Sequence, residues 1–200
     1  EIKGIKKTDS GDIYIGAGTT FSHVTNDPVI QECIPVLGEA VDQVGGPQVR
    51  NIGTIGGNVC NGAVSADSAP TLFSLNALLH LADGKGGRVV PIHEFYLGPG
   101  RVDLKPGEIL THIEIPKEEY EGYHGHYVKY SMRNAMDIAT LSCSVVSLTD
   151  PENQVLKDVR ITFGVAAPVP YRCKKTEEAL KGIAIGEELY QKVEELVREE

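Results

Sequence analysis

Residues 50–62 read Arg-Asn-Ile-Gly-Thr-Ile-Gly-Gly-Asn-Val-Cys-Asn-Gly, and Asp67 follows shortly after. This run, with few bulky side chains, constrains the chain more than any other. Without a Cβ, glycine reaches positive φ and lets backbone approach a ligand closely. Several N–H groups can then converge on an anion as a nest, with Thr54, Asn58 and Asn61 adding side-chain hydrogen bonds. The run therefore reads as a loop suited to a phosphate or a polyhydroxyl chain. A plain tight connection has the same composition, so the neighbours must decide between the two.

Around this run the pattern alternates between strand and helix. Residues 2–7 and 13–17 alternate about Asp9-Ser10-Gly11-Asp12, a hairpin signal. Thr19-Thr20 caps a helix from Phe21, and a second helix fits 35–44, stopped by Gly45-Gly46. Asp67-Ser68 caps a helix to about Leu75, with Pro70 in its first turn. Strands follow at 78–82, 88–92 and 108–115. After the Glu-, Tyr- and Gly-rich stretch 117–125 come strands at 126–132, 140–148 and 155–165, then helices at 175–180 and 187–198. Strands, helices, strands, helices is the order of an α+β fold. The stretch 117–125 is the candidate boundary, dividing 1–119 from 120–200. Both ends read as cut from something longer.

Composition removes whole classes. A net charge of −9 offers no basic face to nucleic acid or anionic membranes, and the apolar runs are too short to span a bilayer. Cys33, Cys60, Cys143 and Cys173 stand far apart with no C-x-x-C. That spacing suits reduced, mostly buried thiols of a cytoplasmic protein rather than zinc or iron–sulfur sites. His124 and His126 share a strand face but lack a third ligand, and read as exposed histidines. Gly16-Ala17-Gly18-Thr19 lacks the third glycine and the βαβ context of a dinucleotide fingerprint. Nucleophile elbow, H-E-x-x-H and Walker A motifs are all missing. Lys129 stands mid-strand between Tyr127-Val128 and Tyr130. A strand lysine usually faces solvent, but one held at a cofactor would stabilise negative charge there.

Taken in order, Gly46-Pro47-Gln48-Val49-Arg50-Asn51, Thr54-Ile55-Gly56-Gly57-Asn58, Ser65-Ala66-Asp67-Ser68, Lys129-Tyr130-Ser131-Met132-Arg133, Asp137-Ile138-Ala139 and Phe163-Gly164-Val165-Ala166-Ala167-Pro168 closely resemble the FAD-binding subunit of the molybdenum hydroxylases. Within that family the pattern is most similar to the xanthine dehydrogenase branch, ahead of the nicotinate, aldehyde and CO dehydrogenase types. The resemblance covers nearly the whole chain. It implies the second half of a PCMH-type FAD-binding subdomain, followed by an antiparallel-sheet-plus-helices C-terminal domain. It also implies an earlier subdomain, with its own Gly-rich turn for the pyrophosphate, lying before Glu1.

The functional expectations come from the same resemblance. Two [2Fe–2S] clusters on one partner subunit carry electrons from a molybdopterin-binding partner. The FAD subunit receives them and passes them to NAD⁺ or another acceptor. Thr54, Ile55, Gly56, Gly57 and Asn58 are expected against the ribityl–diphosphate portion of FAD, with Gly45, Asn61 and Asp67 on the polar chain. Leu110 is expected near the isoalloxazine and Lys129 at its pyrimidine edge, where a cation raises the flavin's potential. A docking fragment that does not hold FAD by itself is the competing expectation.

Overall fold

The computed structural model describes residues 2–200; Glu1 lies outside it. Strands β1 (Ile5–Lys7) and β2 (Ile13–Gly16) form the expected hairpin, Ile5 opposite Ile15. Thr20 caps helix α1 (Phe21–Asn26) by accepting the His23 amide, worth about 1 kcal/mol. Asp27 caps α2 (Pro28–Cys33) through the Val29 amide. The sequence did not announce α2, because so short a helix shows no 3.6-residue period. Helix α3 (Pro35–Asp42) buries Val36, Leu37, Ala40 and Val41, and ends two residues before the expected Val44.

The Gly-rich run is not a loop. It folds as α4 (Pro47–Ile52) and α5 (Ile55–Asn61), bent apart at Gly53-Thr54. Pro47 opens the first, where its missing N–H costs nothing. Thr54 caps the second by accepting the Gly57 amide at 3.1 Å, and Gly62 closes it at φ +62°. Glycine is a poor helix former, and packing explains its presence here. A Cβ on Gly56 would meet the Cβ of Ala17 at 2.5 Å. Helix α5 thus lies directly on the chain leaving β2, an approach that only glycine permits.

Helix α6 (Ser68–Ser74) is buried along its whole length. The β3 (Leu78–Asp83) and β4 (Gly86–Pro91) hairpin forms as expected, Asp83 accepting the Lys85 and Gly86 amides in its turn. Helix α7 (Ile92–Phe95) and the small hairpin β5 (Tyr96–Gly98) with β6 (Arg101–Val102) follow, none of them signalled by the sequence. Strand β7 (Ile109–Ile115) then inserts between β2 and β3, completing an antiparallel sheet in the order β1-β2-β7-β3-β4.

A short 3-10 turn, Lys117–Glu119, leads to the second sheet. Its strands are β8 (His124–Tyr130), β9 (Leu141–Asp150), β10 (Val155–Gly164) and β11 (Tyr171–Arg172), antiparallel in the order β11-β10-β9-β8. Strand β8 begins inside the stretch expected to be a boundary and stops short of Met132, because Tyr130 pairs with Leu141, the first residue of β9. Helices α8 (Lys174–Leu180) and α9 (Glu187–Glu199) cover this sheet over a small core of Leu156, Val159, Ile161, Leu180 and Leu189. The main core runs from the first sheet through α3, α5 and α6 to Tyr127 and Val146 of the second.

The fold is α+β, and α6 packs against β9 and β10. Arg160 of β10 ties the layers together, donating to the Ser74 and Glu119 carbonyls and the Tyr123 hydroxyl and pairing with Glu119 and Asp158. Asp67, directly before α6, faces β8 of the second sheet.

Candidate functional site

Tyr127 and Lys129 are two apart on β8, so they point to the same face. Both reach Asp67. The Lys129 ammonium donates to Asp67 Oδ2 at 2.9 Å and to the Gln43 carbonyl at 3.0 Å. The Tyr127 hydroxyl donates to Asp67 Oδ1 at 2.7 Å. The Lys129 and Asp67 side chains are only 6% and 7% exposed. Charges so far from water persist only when paired and hydrogen-bonded. Each carboxylate oxygen has one donor, and the ammonium keeps one of its three protons uncommitted among the described residues.

The electrostatics follow from burial. Burial pushes the Asp67 carboxyl above the ordinary aspartate value, while the Lys129 and Tyr127 hydrogen bonds draw it back down. Burial, with the Asp67 charge beside it, drives the Tyr127 phenol well above a normal tyrosine, so it remains a donor. The Tyr127 hydroxyl therefore gives the proton in its bond to Asp67.

Two adjoining cavities open beside this triad. One, about 610 Å³, is lined by Lys129 with Gln43, Gly45, Arg50, Arg133 and Asp137. The other, about 240 Å³, is lined by Gly45, Asn58, Ser65 and Asp67. They share Gly45, Met136 and Asp137 and so form one groove. Gly45 turns the chain at φ +50° at the point where they join.

Gly45, Asn58, Asp67 and Lys129 are thus brought together. Gly57 is exposed on α5, and Asn61 is exposed at its end, outside both cavity linings. Ile55 and Gly56 lie on the buried face of α5. The amides of Ile55, Gly56 and Gly57 already donate to the Thr19 carbonyl, the Ala17 carbonyl and the Thr54 hydroxyl. The expected nest of free N–H groups is absent here, because helix formation and packing consume those donors. Leu110 lies on β7 in the main core and lines neither cavity.

Other expectations are corrected in detail. Asp67 does not cap α6 with its side chain, since both carboxylate oxygens are engaged elsewhere. The strand lysine, usually exposed, is buried here. The thiols, expected to be mostly buried, are half-buried at Cys33, Cys60 and Cys143 and fully buried at Cys173. His124 and His126 are exposed as expected, His126 pairing with Glu39. No group of three potential metal ligands exists among the described residues. Sequence reasoning missed Tyr127; its spacing of two from Lys129 was the available signal.

The sequence matches the family described as the FAD binding domain in molybdopterin dehydrogenase over residues 1–118. The chain belongs to this family. Residues 126–200 match a second family, the CO dehydrogenase flavoprotein C-terminal domain. The chain is 38% identical over 197 residues to the xanthine dehydrogenase FAD-binding subunit of Escherichia coli O157:H7, covering 98% of this chain and 67% of that protein. It is 31% identical to the carbon monoxide dehydrogenase medium chain of Hydrogenophaga pseudoflava, covering 96% and 65%. Among solved structures, quinoline 2-oxidoreductase from Pseudomonas putida 86 superposes with a TM-score of 0.90 at 25% identity, over 99% of this chain and 67% of that one. Carbon monoxide dehydrogenase from Hydrogenophaga pseudoflava gives 0.89 at 30%, over 98% and 66%. The chain therefore spans about two thirds of the length of these relatives. Among the described residues no helix is long and apolar enough to cross a membrane.

Proposed function

We propose that this chain is part of the FAD-binding, electron-transferring subunit of a cytoplasmic molybdenum hydroxylase of the xanthine dehydrogenase type. The observation that carries the reading is the buried Asp67–Lys129 pair at the side of a groove bordered by Gly45 and Asn58. The donor set fits FAD. A carboxylate suits ribityl hydroxyls, an asparagine suits either donors or acceptors, and an ammonium suits the carbonyl edge of the flavin ring. Bound there, FAD supplies electron transfer through its isoalloxazine, whose pyrimidine edge gains negative charge on reduction.

The chain's own residues bind and orient. Asp67 accepts from the polyhydroxyl chain, and the uncommitted proton of Lys129 is available to the ring edge. Gly57 offers an exposed surface without a side chain. Thr54, Ile55, Gly56, Asn61 and Leu110 lie outside the groove lining, and their assignment to FAD rests on the family resemblance. Residues 1–119 form the FAD-binding part and 120–200 the C-terminal domain, with Asp67 and Lys129 drawn one from each. Partner subunits carry molybdopterin and [2Fe–2S] clusters, and NAD⁺ is the acceptor. The xanthine assignment rests on the 38% identity to a bacterial xanthine dehydrogenase subunit, against 31% to a CO dehydrogenase medium chain.

The test is isolation of the complete complex, with assay of FAD, molybdenum and iron and of xanthine-driven NAD⁺ reduction. Turnover on nicotinate, an aldehyde or carbon monoxide, but not xanthine, would move the chain to another branch. A complex free of flavin would sink the cofactor assignment.

A further inference from the structure

Tyr127 is 1% exposed and sits on β8 two residues before Lys129, with its hydroxyl on the carboxylate oxygen that Lys129 leaves free. The two side chains do not touch each other in any hydrogen bond; Asp67 connects them. This linkage has a direction. A buried carboxylate with a single donor is drawn toward its neutral form, and a neutral Asp67 would no longer anchor the ammonium. The Tyr127 phenol cannot share the negative charge, because burial and the adjacent carboxylate hold it protonated. It acts only as a donor, keeping Asp67 anionic and fixing its orientation. The backbone of Tyr127 is held independently, its amide donating to Glu39 Oε2 at 2.9 Å and its strand paired to Ser144. Loss of the hydroxyl therefore leaves the strand in place and acts on the carboxylate.

We propose that Tyr127 is a positioning residue of the flavin site, which through Asp67 sets where the Lys129 charge sits and so tunes the potential of the bound flavin. The proposal rests on the reading of Lys129 as the cation at the flavin edge. Tyr127 reaches the flavin only through Asp67 and Lys129, so its effect disappears when Lys129 is gone. Pairwise coupling of this kind is what a double-mutant cycle isolates.

The experiment uses the complete complex with Tyr127→Phe, Lys129→Met and the double substitution, measuring FAD content and flavin midpoint potential. Phenylalanine keeps the ring and its packing. The expected result is a lower potential in Tyr127→Phe, shifted toward that of Lys129→Met, with FAD content retained and the double variant equal to Lys129→Met alone. A Tyr127→Phe potential equal to the parent, while Lys129→Met shifts, would overturn the role of Tyr127 and leave that of Lys129 standing. Additive shifts would also overturn it, since they show Tyr127 acting by another route. If Lys129→Met itself leaves the potential unchanged, the reading of Lys129 fails and this proposal fails with it. Should Tyr127→Phe not fold, Tyr127→Met, which also removes the hydroxyl and fills irregular apolar space, takes its place in the same cycle with the same outcomes.

Discussion

Asp67 carries two demands at once, one on stability and one on ligand binding, and they can be separated at the level of the residue. Removing one partner of a buried ion pair leaves the other unpaired in a dry site, at a cost of about 3–5 kcal/mol. Asp67→Ala is expected to destabilise the protein by that order in urea unfolding. Asp67→Ala combined with Lys129→Met removes both charges and is expected to recover most of the loss, since apolar replacements for both partners are often near neutral. The same double variant is expected to lack bound FAD. A flavin spectrum that survives it would instead support the docking-fragment reading. None of this was visible from the residues alone. Asp67 and Lys129 were both singled out, but nothing in their sequence separation says that they meet.

At the scale of the element, α5 shows why a glycine-rich run misleads. Composition argues for a loop, yet the Thr54 cap, the Gly62 terminus and the contact of Gly56 with Ala17 make a helix. Gly56 and Gly57 are therefore expected to respond differently. Gly56→Ala forces a methyl into the backbone leaving β2 and should cost about 1–3 kcal/mol, the usual range for overpacking, read as a lower melting temperature. At Gly57 an added Cβ meets only the Thr54 hydroxyl, at 3.0 Å. Gly57→Ala should leave the melting temperature nearly unchanged, because the helix propensity gained, about 0.5–1 kcal/mol, offsets the crowding. FAD affinity is expected to fall in that variant, measured by titration of the complete apoprotein. The elements that were legible, such as the β3–β4 hairpin and α9, have long periods or strong turn residues. Those missed, α2, α7, β5, β6 and β11, are too short for a period to register.

For the whole molecule, two histidines make stability depend on pH. Burial, aided by the Arg172 and Lys174 charges, holds His93 down to about 4. Burial and the neighbouring His80 do the same to His112, also about 4. In the unfolded chain both titrate near 6.5. As pH falls from there the unfolded state takes up protons first, so the stability these groups contribute is present above 6.5 and lost as pH falls toward 4. Asp67, pushed upward by burial, acts with the opposite sign: its contribution is present below its unfolded value and lost as pH rises through its folded one. The melting temperature should drop between pH 7 and pH 5. His112→Phe, which keeps the stacking against Tyr14 and His80, should make the drop smaller. An unchanged slope in that variant would remove His112 from the account.

The α+β order, the hairpins, the Thr20 cap of α1 and the family to which the chain belongs are legible in the residues alone, because these rest on local periods, turn residues and ordered motifs. Of the residues named from the sequence for the site, Gly45, Asn58, Asp67 and Lys129 line the groove, while Thr54, Ile55, Gly56, Gly57, Asn61 and Leu110 lie outside its lining. Only the tertiary structure decided that the glycines serve packing and that their amides are spent within the chain. It alone joined Asp67 to Lys129 and brought in Tyr127. A buried charge has no local signature, and its environment exists only once β8 and the turn after α3, both distant from Asp67 in the chain, have folded around it.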